Sequence, residues 1–131
     1  MSFNLNPGLV GHHVLSVTHA VTASEIGSGG LEVFATPAML ALVEKTAFLL
    51  VEEYLPDGFS SVGTKVSLDH LAATPIGMDV TAKVELRAVE GRKLSFAFEL
   101  NDAQELVGQG THERFIIETA RFMTKVQNKL S

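Results

Sequence analysis

The chain has no cysteine. That absence removes disulfide frameworks, thiolate zinc sites and cysteine nucleophiles together, and it fits a reducing compartment. Positive charge is also scarce: 10 Lys and Arg stand against 15 Asp and Glu, a formal net charge of −5. Nucleic-acid affinity rests largely on clustered cations that release counterions, so a phosphate-backbone binder is not expected. No apolar run is long enough to cross a bilayer, because the most apolar stretch, residues 38–51, is interrupted by Glu44 and Lys45. The first residues, Met1-Ser2-Phe3-Asn4-Leu5, carry no cation ahead of an apolar segment and do not read as a signal peptide. A soluble, cytoplasmic protein is the expectation.

Familiar chemical motifs are missing too. Gly27-Ser28-Gly29-Gly30 lacks the spacing of a dinucleotide fingerprint, and no Walker A sequence or G-x-S-x-G nucleophile elbow occurs. The histidines, His12, His13, His19, His70 and His112, form no H-E-x-x-H pair, so no metal site is expected.

What is present is a chain of 131 residues, 46% hydrophobic, enough for one domain (1–131) with a real core and no staples. Leu15, Val17, His19 and Val21 alternate with Ser16, Thr18 and Ala20, which predicts a half-buried strand over 13–21. The glycines at 27, 29 and 30 predict a mobile loop. A long helix is predicted over 37–54, with Thr36 as N-cap, Pro37 at the first helical position, and Pro56 and Gly58 past its end. Met39, Val43, Ala47, Leu50 and Tyr54 form one stripe, and Leu40, Leu42, Phe48, Leu49 and Val51 widen it until the helix needs covering on most sides.

The rest alternates with a period of two. Val62, Thr64, Val66, Leu68, His70 and Ala72 are assigned to one face of a strand, and Gly63, Lys65, Ser67, Asp69 and Leu71 to the other. After the break at Thr74-Pro75-Ile76-Gly77 come Val80, Ala82, Val84, Leu86 and Ala88, then a turn at Glu90-Gly91, then Leu94, Phe96, Phe98 and Leu100. A last strand spans about 105–117, where Gly108 and Gly110 suggest a bulge or a close backbone approach, and a short helix is allowed over 118–126. Strand, long helix, four strands and a tail make an α+β domain. An antiparallel sheet of about five strands wrapped around one helix satisfies both patterns, and pairing its exposed edge with a second copy predicts a homodimer.

Val33-Phe34-Ala35-Thr36-Pro37-Ala38-Met39 leading to Glu44, then Asp69-His70-Leu71-Ala72-Ala73-Thr74-Pro75-Ile76-Gly77, then Gly108-Gln109-Gly110-Thr111-His112-Glu113-Arg114, with Ala88-Val89-Glu90-Gly91-Arg92, resemble the fluoroacetyl-CoA thioesterase-like family of hotdog proteins. The resemblance runs from about residue 31 to about residue 126. It implies a hotdog fold, hydrolysis of a small acyl-CoA thioester, and catalytic residues at Thr36, Glu44 and His70. It further implies Gly63 for carbonyl placement and Arg114 at the site. A homodimer or dimer of dimers is expected from the sheet edge, and no cofactor, since CoA is part of the substrate. Fluoroacetyl-specific members carry phenylalanines in a lid; this chain has Gly27 to Gly30 there and no aromatic between Phe3 and Phe34, so the resemblance does not extend to that selectivity. Lys65, Lys83, Arg87, Arg92 and Lys93 are the cations that could meet CoA phosphates.

Each residue also has a plainer reading. Glu44 has Leu40, Ala41, Ala47, Phe48 and Val51 as its helical neighbours and no cation among them, so it either reaches solvent at a rim or serves chemistry. His70, like His19, can be a hydrogen-bonded core histidine, and His19 is assigned that structural role. Thr36 can be only an N-cap, about 12 Å of helix rise from Glu44. Arg114 can pair with Glu113 or Glu99 on a solvated face, His112 can be structural, and Gly63 can merely start a strand. The expected mechanism has Glu44 as nucleophile or base, His70 handling the proton, and backbone donors near Gly63 holding the oxyanion. Its rivals are a binding module for acyl-CoA or a small acid, an enoyl-CoA hydratase, and a structural dimer without ligand.

Overall fold

The computed structural model describes residues 3–131. Strand β1 (Val10–Ser16) is followed by a 3-10 turn (His19–Val21) and a short helix α1 (Ala23–Ile26). The long helix α2 (Thr36–Glu52) precedes four strands, β2 (Phe59–His70), β3 (Asp79–Glu90), β4 (Lys93–Asn101) and β5 (Leu106–Glu118), and helix α3 (Thr119–Gln127) follows. The five strands form one antiparallel sheet in the order β1-β3-β4-β5-β2. Helix α2 touches both edge strands, β1 and β2, as well as β3, so the sheet curls around it. This is the α+β architecture expected from the alternation of patterns.

The apolar registers explain the wrapping. Val80, Ala82, Val84 and Leu86 on β3, and Leu94, Phe96, Phe98 and Leu100 on β4, are buried against Met39, Leu42, Val43, Ala47 and Val51 of α2. Each fully buried Val, Leu, Met or Phe side chain among them contributes roughly 1.5–3 kcal/mol. The two β5 glycines are sites of close approach: a Cβ at Gly108 would lie 2.6 Å from Met39 Sδ, and one at Gly110 would run into the Ser67 carbonyl. The rest of the α2 surface stays accessible, with Leu40 and Phe48 half-buried and Leu49 exposed.

Several expectations are corrected. The first strand ends at Ser16; Val17 N–H still donates to the Met78 carbonyl and the Val17 carbonyl accepts from Gly77 N–H, after which the chain leaves the sheet in the 3-10 turn at His19–Val21. His19 is exposed, 3.2 Å from Glu25, and is not a core histidine. The 27–32 segment is preceded by α1, which Gly27 closes in the left-handed conformation at φ +91°. Helix α2 ends two residues earlier than its apolar pattern suggested, and its N-cap is Ala35; Thr36 is already helical, and its side chain makes no capping bond.

The largest correction is a bulge in β2. Gly63 pairs with Arg114 but Lys65 pairs with Glu113, leaving Thr64 as the extra residue. Strict alternation puts Gly63 on the face opposite His70. The bulge shifts the phase, so Ser61 and Gly63 share the helix-facing side with Val66, Leu68 and His70, and Val62 turns outward beside Phe115. A second bulge, between Leu86 and Ala88, moves Ala88 off the inner face and brings Val89 opposite Leu94.

Candidate functional site

Helix α2 runs antiparallel to β2, and three contacts spaced eight residues apart along α2 join them, two of them hydrogen bonds. Thr36 Oγ1 hydrogen-bonds His70 Nδ1 at 2.7 Å, Glu44 lies against Gly63, and Ser60 Oγ donates to Glu52 Oε2 at 3.1 Å. Because Ala35 occupies the cap position, the Thr36 hydroxyl is free of the backbone and fixes the His70 ring. The other ring nitrogen, Nε2, is buried without a hydrogen-bond partner. Burial pushes His70 below its ordinary value of 6.5, opposed by a hydrogen bond with the Ala72 backbone, so the ring is neutral at pH 7.

The second cluster surrounds Glu44. Its carboxylate lies 3.7 Å from Arg114 Nη1 and directly over the Gly63 backbone, where a Cβ would collide with Oε2. Arg114 is buried, not on a solvated face paired with Glu113 or Glu99. Its Nε donates to Ser61 Oγ at 2.8 Å and its Nη2 to the Ser61 carbonyl at 2.9 Å, while Phe48 lies 5.7 Å beneath the guanidinium. Burial pulls the Arg114 guanidinium below its usual value, with Glu44 and Glu52 opposing. The cation for Glu44 thus comes from β5, which helical spacing could not reveal.

His112 completes this cluster. Its Nδ1–H donates to the Lys65 carbonyl at 2.9 Å, its ring stacks on Phe96, and its Nε2 faces Arg114 Nη1 at 3.3 Å. Burial chiefly pushes His112 below 6.5, and the Arg114 charge adds to this; the bond with the Lys65 backbone and the charges of Glu44 and Glu113 oppose it. A neutral ring with its proton on Nδ1 accepts from Arg114, so His112 orients the guanidinium that holds Glu44. Reading residues singly treats His112 as structural; its alternation with Arg114 on one strand face was the available signal.

Both histidines carry a linkage consequence. An unfolded chain takes up protons near pH 6.5, whereas the folded rings resist them, so the stability associated with their neutral form is present above pH 6.5 and lost as pH falls through their lower folded values. Thermal melts between pH 7.5 and pH 5 are expected to show a falling melting temperature below about pH 6.5, before carboxylates titrate near pH 4. A melting temperature that is flat or rising over that interval contradicts the assignment.

The five residues singled out from the sequence therefore fall into two groups within one chain, Thr36 with His70 and Glu44 with Gly63 and Arg114. Eight helical residues separate the groups on α2, about 12 Å, and seven strand residues separate them on β2, roughly 23 Å. Among the described residues no group of His, Asp and Glu is arranged to hold a metal ion, and no helix is long and apolar enough to cross a membrane.

Comparison with known proteins bears on this arrangement. Residues 17–120 match the model of a family described as fluoroacetyl-CoA-specific thioesterase. Over 98 residues, 75% of this chain and 70% of the relative, the sequence is 44% identical to a fluoroacetyl-CoA thioesterase from Streptantibioticus cattleyicolor. A solved structure of a fluoroacetyl-CoA thioesterase, a threonine-to-serine mutant in complex with acetyl-CoA, superposes with a TM-score of 0.91 at 34% identity, covering 97% of this chain and 100% of that one. A hot-dog-like protein from Thermanaerovibrio acidaminovorans gives 0.89 at 26% identity, covering 95% and 93%.

Proposed function

We infer the function from one premise: the chain belongs to the fluoroacetyl-CoA-specific thioesterase family, has a hotdog fold, and is a thioester hydrolase. We propose that its substrate is a small acyl-CoA. Glu44 then attacks the acyl carbon or activates water, His70 exchanges the proton through Nε2, and Thr36 holds the ring. The observation that carries this reading is the pair of prepared groups, a neutral imidazole fixed by Thr36 with Nε2 unpartnered and a carboxylate held by Arg114 over bare backbone at Gly63. A thiol leaving group with a pKa near 8.5 needs little protonation, so these few groups suffice. No cofactor is required, since CoA enters as part of the substrate, and a chain without cysteine suits the cytoplasm.

Because the two groups of one chain stand apart, we propose a homodimer built on the free edge of β2, in which His70 of one chain meets Glu44 of its partner. Backbone groups along that edge have no strand beside them in the sheet order. Fluoroacetyl selectivity is not part of the proposal, as the 27–30 segment carries no aromatic side chain.

The test is thiol release from a panel of short, branched, aromatic and halogenated acyl-CoAs with wild type, Glu44→Gln and His70→Ala. Each substitution is expected to lower kcat/KM by about 100-fold or more, on the scale of lost general acid–base or nucleophilic assistance, with the melting curves retained. Full turnover by either variant would remove that residue from the chemistry. Tight binding without thiol release would favour the binding module.

A further inference from the structure

A cavity of about 220 Å³ lies between β1 and α2, and no residue of the two clusters lines it. Its wall on α2 is Ala38, Ala41, Leu42 and Lys45, a stripe at three- and four-residue spacing, whereas Thr36, Glu44 and Glu52 reach β2 from another face of the helix. Leu15 of β1 and Val21 of the 3-10 turn close the other side. At Gly11 the strand presses on the helix, since a Cβ there would stand 3.3 Å from Leu50 Cβ. Toward His13 and Leu15 the helix offers alanine methyls at 38 and 41, and the space that longer side chains would fill stays open.

Two polar side chains interrupt this aliphatic lining. Lys45 is exposed, and among the described residues its ammonium forms no ion pair within 4 Å. His13 is half-buried, with its Nδ1 buried and without a hydrogen-bond partner, so the ring has bonding capacity that the described chain leaves unused. The concavity of about 140 Å³ on the outer sheet surface differs in both respects: Lys83 and Arg87 face Glu85 and Glu99 there, and Arg87 is already 3.3 Å from Glu85. Aliphatic walls give nothing to the hydroxyls of a sugar or to the further charges of a polyphosphate. One free ammonium beside one imidazole, above such walls, suits a single carboxylate with an apolar tail. An apolar cavity of about 150 Å³ is enough to hold benzene, so the space here takes a tail of about six carbons.

We propose that the cavity between β1 and α2 is a second ligand site, separate from the Thr36–His70 and Glu44–Arg114 clusters, that binds a free aliphatic monocarboxylic acid. The carboxylate meets Lys45 and the His13 ring, and the tail lies between Leu15, Val21 and the alanines of α2. The site does not rest on the thioesterase reading, although a free acid is also what that reaction releases.

The test is a titration of the full-length protein with hexanoate at constant pH, followed by the proton resonances of the histidine rings, each assigned by a single substitution. His13 reports on the cavity, while His70 and His112 report on the two clusters. The expected result is a saturable shift of the His13 signals with a Kd of about 10 mM or tighter, weakened about tenfold when hexanamide replaces the acid and about tenfold by Lys45→Gln. Ala41→Trp, at an exposed position on the cavity wall, is expected to abolish the His13 shift and to leave any response of His70 unchanged. Should that variant not fold, the amide and Lys45→Gln decide alone, since Lys45 is exposed and packs nothing in the core. No saturable shift at His13, as when a second copy of the chain covers the cavity, overturns the proposal. Equal binding of acid and amide, or no effect of Lys45→Gln, does so too. A His13 shift that survives Ala41→Trp and tracks His70 with one Kd places the acid at the clusters and likewise overturns it. None of these readings depends on turnover, so failure of the thioesterase reading is seen separately, as absence of thiol release.

Discussion

An equimolar mixture of Glu44→Gln and His70→Ala chains, each inactive alone, is expected to recover about a quarter of wild-type activity once subunits have exchanged. Random pairing makes half of the dimers mixed, and in each mixed dimer one site combines an intact His70 with an intact Glu44 while the other has lost both. The basis lies in β2. Gly63 and His70 are seven residues apart, an odd number that places them on opposite faces of a regular strand. The bulge at Thr64 returns them to the same face, both toward α2. Antiparallel pairing of β2 with its own copy about an axis at Ser67 sets Val66 opposite Leu68 and Lys65 opposite Asp69 and, with Thr64 left out as the extra residue, His70 opposite the other chain's Gly63, over which Glu44 is held. A mixture no more active than its components would place both groups of a working site on one chain, and the edge-to-edge arrangement would have to be abandoned. Glutamine is preferred to alanine at Glu44 because Arg114 is buried and keeps a hydrogen-bonding neighbour.

Gly63→Ala is expected to lower kcat/KM by about 100-fold while changing the melting temperature little. The added Cβ meets the end of the Glu44 side chain, with His112 Cε1 at 3.3 Å and Arg114 Nη1 at 3.4 Å. Gly63 does not have a positive φ, so alanine can adopt its backbone conformation. Glu44 is partly exposed and flexible enough to swing away, which spares the fold. It cannot do so and keep its place over the backbone, and a displacement of about 1 Å at a reacting group is enough to cost on the order of 100-fold. The contrasting substitution is Gly110→Ala, whose Cβ meets the Ser67 carbonyl and, at 2.8 Å, the ring of Phe98; neither can withdraw, so stability suffers there. Wild-type kinetics from Gly63→Ala would mean that the observed Glu44 position is not the working one.

The periodicities in the sequence settled the architecture. Strand β4, β3 as far as Leu86, and the core of α2 follow their apolar patterns because each buries one continuous face, and burial selects that pattern directly. The motifs around Thr36, Glu44, His70 and Arg114 were equally legible, since they rest on residue order. Tertiary structure decided what those residues touch. Thr36 bonds His70 because Ala35 takes the cap, a difference of one residue that helix signals do not resolve. Gly63 faces Glu44 because a bulge shifts the strand phase, and a bulge leaves no mark in an alternation that tolerates Thr64 on either face. Arg114 neutralises Glu44 from a strand seventy residues further along the chain, a pairing that depends on how the sheet curls around the helix. Local patterns determine elements, whereas hydrogen bonds and ion pairs between distant elements depend on register, which only packing of the whole chain fixes.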